Sequence, residues 1–305
     1  MMTTSIAFMR IPYLLAACLP ALARIIGLLT CAAVLVGCSA IKLGYNNLDE
    51  FAYWWLDRYL DFNEDQSRRV REDLARLQQW HRREELPGIG IILQRMEQLA
   101  PDEVSAAQAC SFVPQWRDRL NALADRAEPA VVTLAMALTP DQLVHLERTY
   151  QKKIAEYRGE WVDLTQAELW DKRTRQFRER SEMIYGRLDE PQRAVMRQRV
   201  ERSIFDASRL LAERKRRQQD ALQTLRKVAG QPVSLAEARA LVHGLIQRSI
   251  DPPEPAARKY QDALIEEGCG NLSALHNSTS AEQRLSAARR LRAYQRDLRE
   301  LTAGQ

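Results

Sequence analysis

Residues 138–161, LTPDQLVHLERTYQKKIAEYRGEW, decide the fold class. Leu143, Leu146, Tyr150, Ile154, Tyr157 and Trp161 recur at steps of three and four for about five turns, the spacing of one face of an amphipathic α-helix. Thr139 stands just ahead of that stripe with Pro140 behind it, and Gln142 follows the threonine by three. A hydroxyl there accepts from the backbone of the third helical residue while the glutamine reaches back to the cap, so two otherwise orphaned donors are satisfied. Leu138 and Leu143 add a hydrophobic staple across the entry.

The same entry signal recurs outward in both directions: Asn63 with Gln66, Asp189 with Gln192, and Ser280 with Gln283. Intervals of 76, 50 and 91 residues between the glutamines are unequal, so no regular repeat array is expected. Between these starts the chain is rich in helix formers and poor in alternating β-branched runs. Leu48, Phe51, Ala52, Trp55 and Tyr59 read as the buried stripe of a first helix, capped by Asn46 or Asn47. Val70, Leu74, Leu77 and His81 mark a second helix that Pro87-Gly88 ends, followed by a short one around 92–99. Pro114 and Pro129 break 103–138 into pieces or kink it. The helix of the opening stretch is expected to run on toward Tyr185, and another to run from Pro191 to Gly230. Ser234 with Glu237 starts a helix ending at Ile250, and two more follow Asp251-Pro-Pro-Glu-Pro255. The expected fold is all-α, an elongated multi-helix bundle of antiparallel amphipathic helices. The expected organisation is a leader over 1–37, a main helical domain over 38–250, and a C-terminal hairpin over 251–305 packing on it.

The leader carries Arg10, Arg24 and no acid, and ends in an apolar run from Ile25 to Val36 that is too short to span a bilayer. Leu35-Val36-Gly37-Cys38 resembles the lipobox of bacterial lipoproteins. The resemblance implies cleavage before Cys38, a diacylglycerol thioether on its sulfur and acylation of the new amino terminus. Two or three chains at about 0.8 kcal/mol per methylene make a stable anchor. Ser39 stands where an aspartate retains such proteins in the inner membrane, so the resemblance points to the outer membrane, facing the periplasm. Met1 and Met9 are alternative starts that leave the same mature protein.

Removing residues 1–37 leaves 43 cations against 40 acids, a mature charge of +3 on 268 residues, enough chain for a sizeable core. Of five cysteines, Cys18 and Cys31 leave with the leader and Cys38 is taken by lipid. Cys110 and Cys269 remain, to bridge in an oxidising compartment or to stay as separate buried thiols.

Leu138 to Gln142, and more loosely Leu188 to Gln192, are also similar to the Leu-Thr-x-x-Gln motif of Spy-like periplasmic chaperones. That resemblance implies curved antiparallel helices whose cationic, partly apolar concave face holds unfolded clients. Leu43 to Asn47, Trp54 to Asp57 and Trp80 to Arg83 carry a broader resemblance, to an uncharacterised family of proteobacterial lipoproteins. It implies localisation and a helical fold and brings no activity with it.

Three features are candidates for chemistry. Tyr53 and Trp54 lie off the expected stripe of the first helix, close to the anchor; they pack within the fold or, as half-wet aromatic rings, meet headgroups or a partner. Asp57, Asp61 and Asp65 are spaced for one face, although capping and ion pairing account for carboxylates at a helix junction. Residues 172–227 hold 17 Lys and Arg against 8 Asp and Glu, densest at Arg214-Lys215-Arg216-Arg217. Such a run is either a solvated helical face with internal ion pairs or, outside the cytosol, a surface for acidic partners rather than nucleic acid: lipid phosphate, lipopolysaccharide, peptidoglycan carboxylates, an envelope protein or unfolded clients. No His-Glu-x-x-His, Gly-x-Ser-x-Gly or phosphate-binding loop occurs. The expected role is therefore non-catalytic binding or scaffolding without a metal or cofactor, the alternative being a Spy-like holdase.

Overall fold

The computed structural model describes residues 41–304, so the leader and Cys38 lie outside the described residues. A first compact unit ends at Asn46, of which residues 41–46 are helical, and a second runs from Asn47. The second is all-α, a multi-helix bundle with no strand among the described residues.

Its helices are α1 (Leu48–Leu60), α2 (Glu64–Trp80), α3 (Leu86–Leu99), α4 (Ala106–Cys110), α5 (Phe112–Met136) and α6 (Pro140–Tyr157). These are followed by α7 (Gln166–Tyr185), α8 (Glu190–Glu201), α9 (Ala207–Gly230), α10 (Leu235–Ile250), α11 (Pro255–Ser278) and α12 (Ala281–Ala303). Single π-turns at His81–Glu85 and Arg158–Val162 join α2 to α3 and close α6.

The four cap-and-glutamine entries all form, and their glutamines meet in pairs. Gln66 Nε2 donates to Gln142 Oε1 at 3.1 Å and to the Ala137 carbonyl at 2.8 Å. Gln142 Nε2 returns the contact to Gln66 Oε1 at 2.6 Å and reaches the Asp61 carbonyl at 2.9 Å. Each carboxamide oxygen also accepts its own cap N–H, from Asn63 and Thr139. Gln192 and Gln283 repeat the arrangement, each donating to the other and to the carbonyls of Ser278 and Arg187. A primary amide has two donors and one two-lone-pair acceptor, and every one is used here. Each clasp ties the carbonyl that ends one helix to the start of the next in the opposite hairpin.

The clasps mark a duplication. In the first half α1 packs on α6 and α2 on α5; in the second α7 packs on α12 and α8 on α11. Each half then lends its third and fourth helices to the other: α3 lies on α12 and α9 on α6, while α4 lies on α11 and α10 on α5. No regular array is formed; the packing pattern recurs once, and alternate glutamine intervals, 76 and 91, are the ones to compare. The longer second interval accommodates a longer α9 and α10. Residues 14 positions before Gln142 and Gln283, namely Glu128 and Cys269, occupy matching places on α5 and α11. Cys269 is bonded to Cys110 of α4, and Glu128 to Arg239 and His243 of α10, so one junction is pinned covalently and its counterpart ionically.

Several boundaries differ from those expected. Pro87 does not end its helix, because the π-turn carries the backbone through into α3. Residues 103–138 form two pieces, α4 and α5, as one of the expected alternatives has it, but the division falls at Ser111 and Pro129 lies inside a continuous α5. The run toward Tyr185 breaks at Asp163 to Thr165, where Thr165 and Glu168 form a fifth reciprocal cap beside the short α4 entry at Ser105 and Gln108. The run from Pro191 breaks at Arg202 to Asp206, and Asp206 caps α9 through the N–H groups of Ser208 and Arg209. Although α11 and α12 share a turn at Thr279, α11 buries itself on α4 and α8, and α12 on α3 and α7.

The core is distributed with the clasps. Leu188, Met196, Leu275 and Ala287 fill the centre of one half, and Leu60, Leu138, Leu143, Leu146 and Leu222 that of the other. Val132, Ala135, Val228, Ala238 and Val242 seal α10 onto α5 and α9.

Candidate functional site

On α1 the apolar residues divide otherwise than periodicity suggested. Tyr53 is only 8 % exposed; its hydroxyl donates to Ser67 Oγ at 3.0 Å and its ring carries the Arg71 guanidinium 3.6 Å above it. Tyr53 is thus a core residue joining α1 to α2, which agrees with the packing reading and corrects the alternative of a surface contact for this residue. Leu48, Phe51 and Trp55 of the stripe expected to be buried are 48, 55 and 57 % exposed, whereas Ala52 and Tyr59 are half-buried; Trp54, expected off the stripe, is 60 % exposed. Leu56 and Leu60 join Tyr53 on the inner side. The three aspartates do local work: Asp57 accepts the Phe62 N–H at 3.0 Å, Asp61 is the left-handed residue closing α1, with φ 49°, and Asp65 pairs with Arg68.

The basic run on α9 is mostly neutralised from within. Arg216 donates to both oxygens of Glu213 at 2.8 Å, to the Arg248 carbonyl at 2.8 Å, and lies 3.5 Å from Asp220. Arg217 donates to the same Glu213, whose carboxyl both guanidiniums hold below its ordinary range against the opposing effect of burial. Arg214 stacks 4.8 Å over the Tyr157 ring, and Lys215 is exposed. The structure thus places the four cations in three different settings.

Arg216 and Arg217 also border a trough of about 660 Å³ between α9 and α11. Its lining is mostly apolar, with Leu210, Ala212, Pro252, Ala257, Leu264 and Ile265, and it also includes Arg209, Glu213 and Glu254. Tyr260 stands in it with its hydroxyl accepting the Asp206 N–H at 2.7 Å and donating to the Ile204 carbonyl at 3.1 Å. Sequence reading missed the α11 side of this feature, because α9 and α11 are far apart in the chain and meet through tertiary contacts such as Tyr260 with Asp206 and Ile204.

Buried titratable groups are paired with structural partners. Glu128 accepts from Arg239 Nε at 2.7 Å and lies 2.6 Å from His243 Nδ1; the hydrogen bond from Arg239, then that from His243, lowers its carboxyl pKa. His276 lies 2.9 Å from the Tyr185 hydroxyl through Nδ1 and 2.8 Å from the Asp102 carbonyl through Nε2. A carbonyl only accepts, so Nε2 carries the proton and Nδ1 accepts from tyrosine. Burial lowers the His276 pKa and raises that of Tyr185 to about 12. Glu85, buried in the first π-turn, faces the Arg119 guanidinium at 3.3 Å. Among the described residues no group of His, Cys, Asp and Glu is placed to hold a metal ion.

A family model described as "Family of unknown function (DUF6279)" matches residues 58–238, from the end of α1 to the first turn of α10. No curated protein and no solved structure matches the chain.

Proposed function

The chain belongs to the DUF6279 family of unknown function, and from its own residues we propose that it is an outer-membrane-anchored periplasmic lipoprotein with a binding or scaffold role rather than a catalytic one. Leu35-Val36-Gly37-Cys38 after an acid-free leader supports the anchor. A Cys110–Cys269 bond suits the oxidising side of the inner membrane.

The trough between α9 and α11 carries the binding role. Its lining is mostly apolar and includes Arg209, Arg216 and Arg217 on the α9 side, the last two shared with Glu213. That pattern fits an amphipathic helix of an envelope protein, with an apolar stripe for the floor and acids along its flank. The holdase alternative draws on the same trough, which would take apolar segments of many clients. The clasp geometry gives the glutamines of the Leu-Thr-x-x-Gln windows a capping role, so it adds nothing for client binding.

The test is a photoreactive residue in place of Ala212, activated in intact cells and read by mass spectrometry. A single stoichiometric adduct that K215E/R217E abolishes supports the scaffold. A broad set of unfolded envelope proteins supports the holdase, and no adduct contradicts both.

A further inference from the structure

Leu48, Phe51, Trp54, Trp55 and Arg58 share one side of α1. With 3.6 residues per turn they fall within about 120° of arc, on the side away from Tyr53, Leu56 and Leu60. Single exposed apolar side chains need no explanation, but four large ones contiguous over two turns form a patch that something must cover. Trp55 leans on Tyr59 at 4.8 Å, so its ring is held in place while most of it stays outward. Arg58 is exposed, one turn beyond the tryptophans, and among the described residues it makes no ion pair.

The composition of this face limits its occupant. Indole rings present an apolar body and a donor N–H, and they favour the level where acyl chains meet headgroups. A guanidinium on the same side matches a phosphate through paired N–H donors. Chain connectivity points to the same occupant, since ten residues separate Leu48 from Cys38 and span at most about 35 Å even when extended. Among the described residues no helix is long and apolar enough to cross a membrane, so a helix with this face lies along the surface.

We infer that α1 docks in the interfacial layer of the leaflet that holds the Cys38 acyl chains. Leu48, Phe51, Trp54 and Trp55 enter the layer and Arg58 meets lipid phosphate. This rests on the lipoprotein reading above, and it adds an orientation. An acyl tether alone lets the body swivel, whereas tether plus helix face fixes which side of the bundle looks away from the membrane.

The experiment uses protein purified from cells fed a fatty-acid probe and reconstituted into zwitterionic phospholipid vesicles with brominated acyl chains. Four tryptophans lie elsewhere in the chain, at positions 80, 116, 161 and 170, so the W54F/W55F variant isolates the contribution of the α1 pair. The inference predicts strong quenching by brominated lipid in the wild type and loss of most of it in W54F/W55F, with unchanged circular dichroism. It also predicts that R58E weakens the quenching while leaving probe incorporation intact. Probe-labelled protein whose quenching is absent, or is the same in wild type and W54F/W55F, overturns the docking and leaves the anchor standing. Protein that carries no probe overturns both.

Discussion

Replacing Gln142 by alanine removes four hydrogen bonds at once: its acceptance of the Thr139 N–H, its donation to Asp61, and both amide contacts with Gln66. Both glutamines are buried, so Asp61 O and the Gln66 oxygen lose partners that water does not readily replace. At about 1 kcal/mol net per bond, plus 1–3 kcal/mol for a polar group left buried and unsatisfied, the loss comes to about 5–7 kcal/mol. For a body of this size that lowers Tm by about 10–28 °C. The assay is a double-mutant cycle on Gln66 and Gln142 by urea unfolding, with m-values compared to check the denatured state. The two mutual amide bonds are lost in either single mutant and cannot be lost twice, so the double mutant falls short of additivity by at least about 1 kcal/mol. Q142A paired with Q283A, from the other clasp, adds to within about 0.5 kcal/mol. Additivity of Q66A with Q142A, or a single-mutant loss below about 1 kcal/mol, would refute the clasp as a structural unit.

Three further outcomes follow from the same geometry. The C110S/C269S variant loses about 4–5 kcal/mol, the entropy released by opening a loop of separation 159, and the wild type loses the same under reductant; equal urea midpoints with and without reductant would contradict it. E128A loses about 1.5–3 kcal/mol, the worth of its charge-assisted hydrogen bonds, because Arg239 and His243 are largely exposed and turn to water once it is gone. As the folded Glu128 pKa is depressed, its stabilisation is present above the unfolded value of about 4.5 and is lost as pH falls through the folded one; a flat wild-type-minus-E128Q difference between about pH 6 and 3 would show otherwise. His276 shifts the other way round: the unfolded chain takes up a proton that the buried ring refuses, so stability declines as pH drops below about 6.5, and H276Q flattens that part of the profile.

Local chemistry was legible in the sequence and non-local pairing was not. Asn63, Thr139, Asp189 and Ser280 each announce a helix start with partners three residues away, and all four form. That their glutamines clasp across 76 and 91 residues is a tertiary fact that no window displays. The face of α1 was misjudged for a different reason. With Leu48, Phe51, Trp54 and Trp55 on one side and Tyr53, Leu56 and Leu60 on the other, the helix is apolar round most of its circumference. Periodicity then finds a helix without choosing its inner side; Ser67 and Arg71 of α2, which receive Tyr53, make that choice. The π-turn at His81–Glu85 has no composition signal at all. The α9 cations were easy to count and misleading to sum, because Glu213, Asp220 and the Tyr157 ring lie within reach once the helices pack.

The anchor to which α1 and the trough are referred is tested most directly by the mass of the amino-terminal peptide of protein extracted from cell membranes. The account predicts a peptide beginning at Cys38 and heavier by a diacylglycerol group and an amide-linked acyl chain, lost together with membrane retention in Cys38→Ser. An unmodified Cys38, or a peptide reading through from Val36 and Gly37, would contradict it.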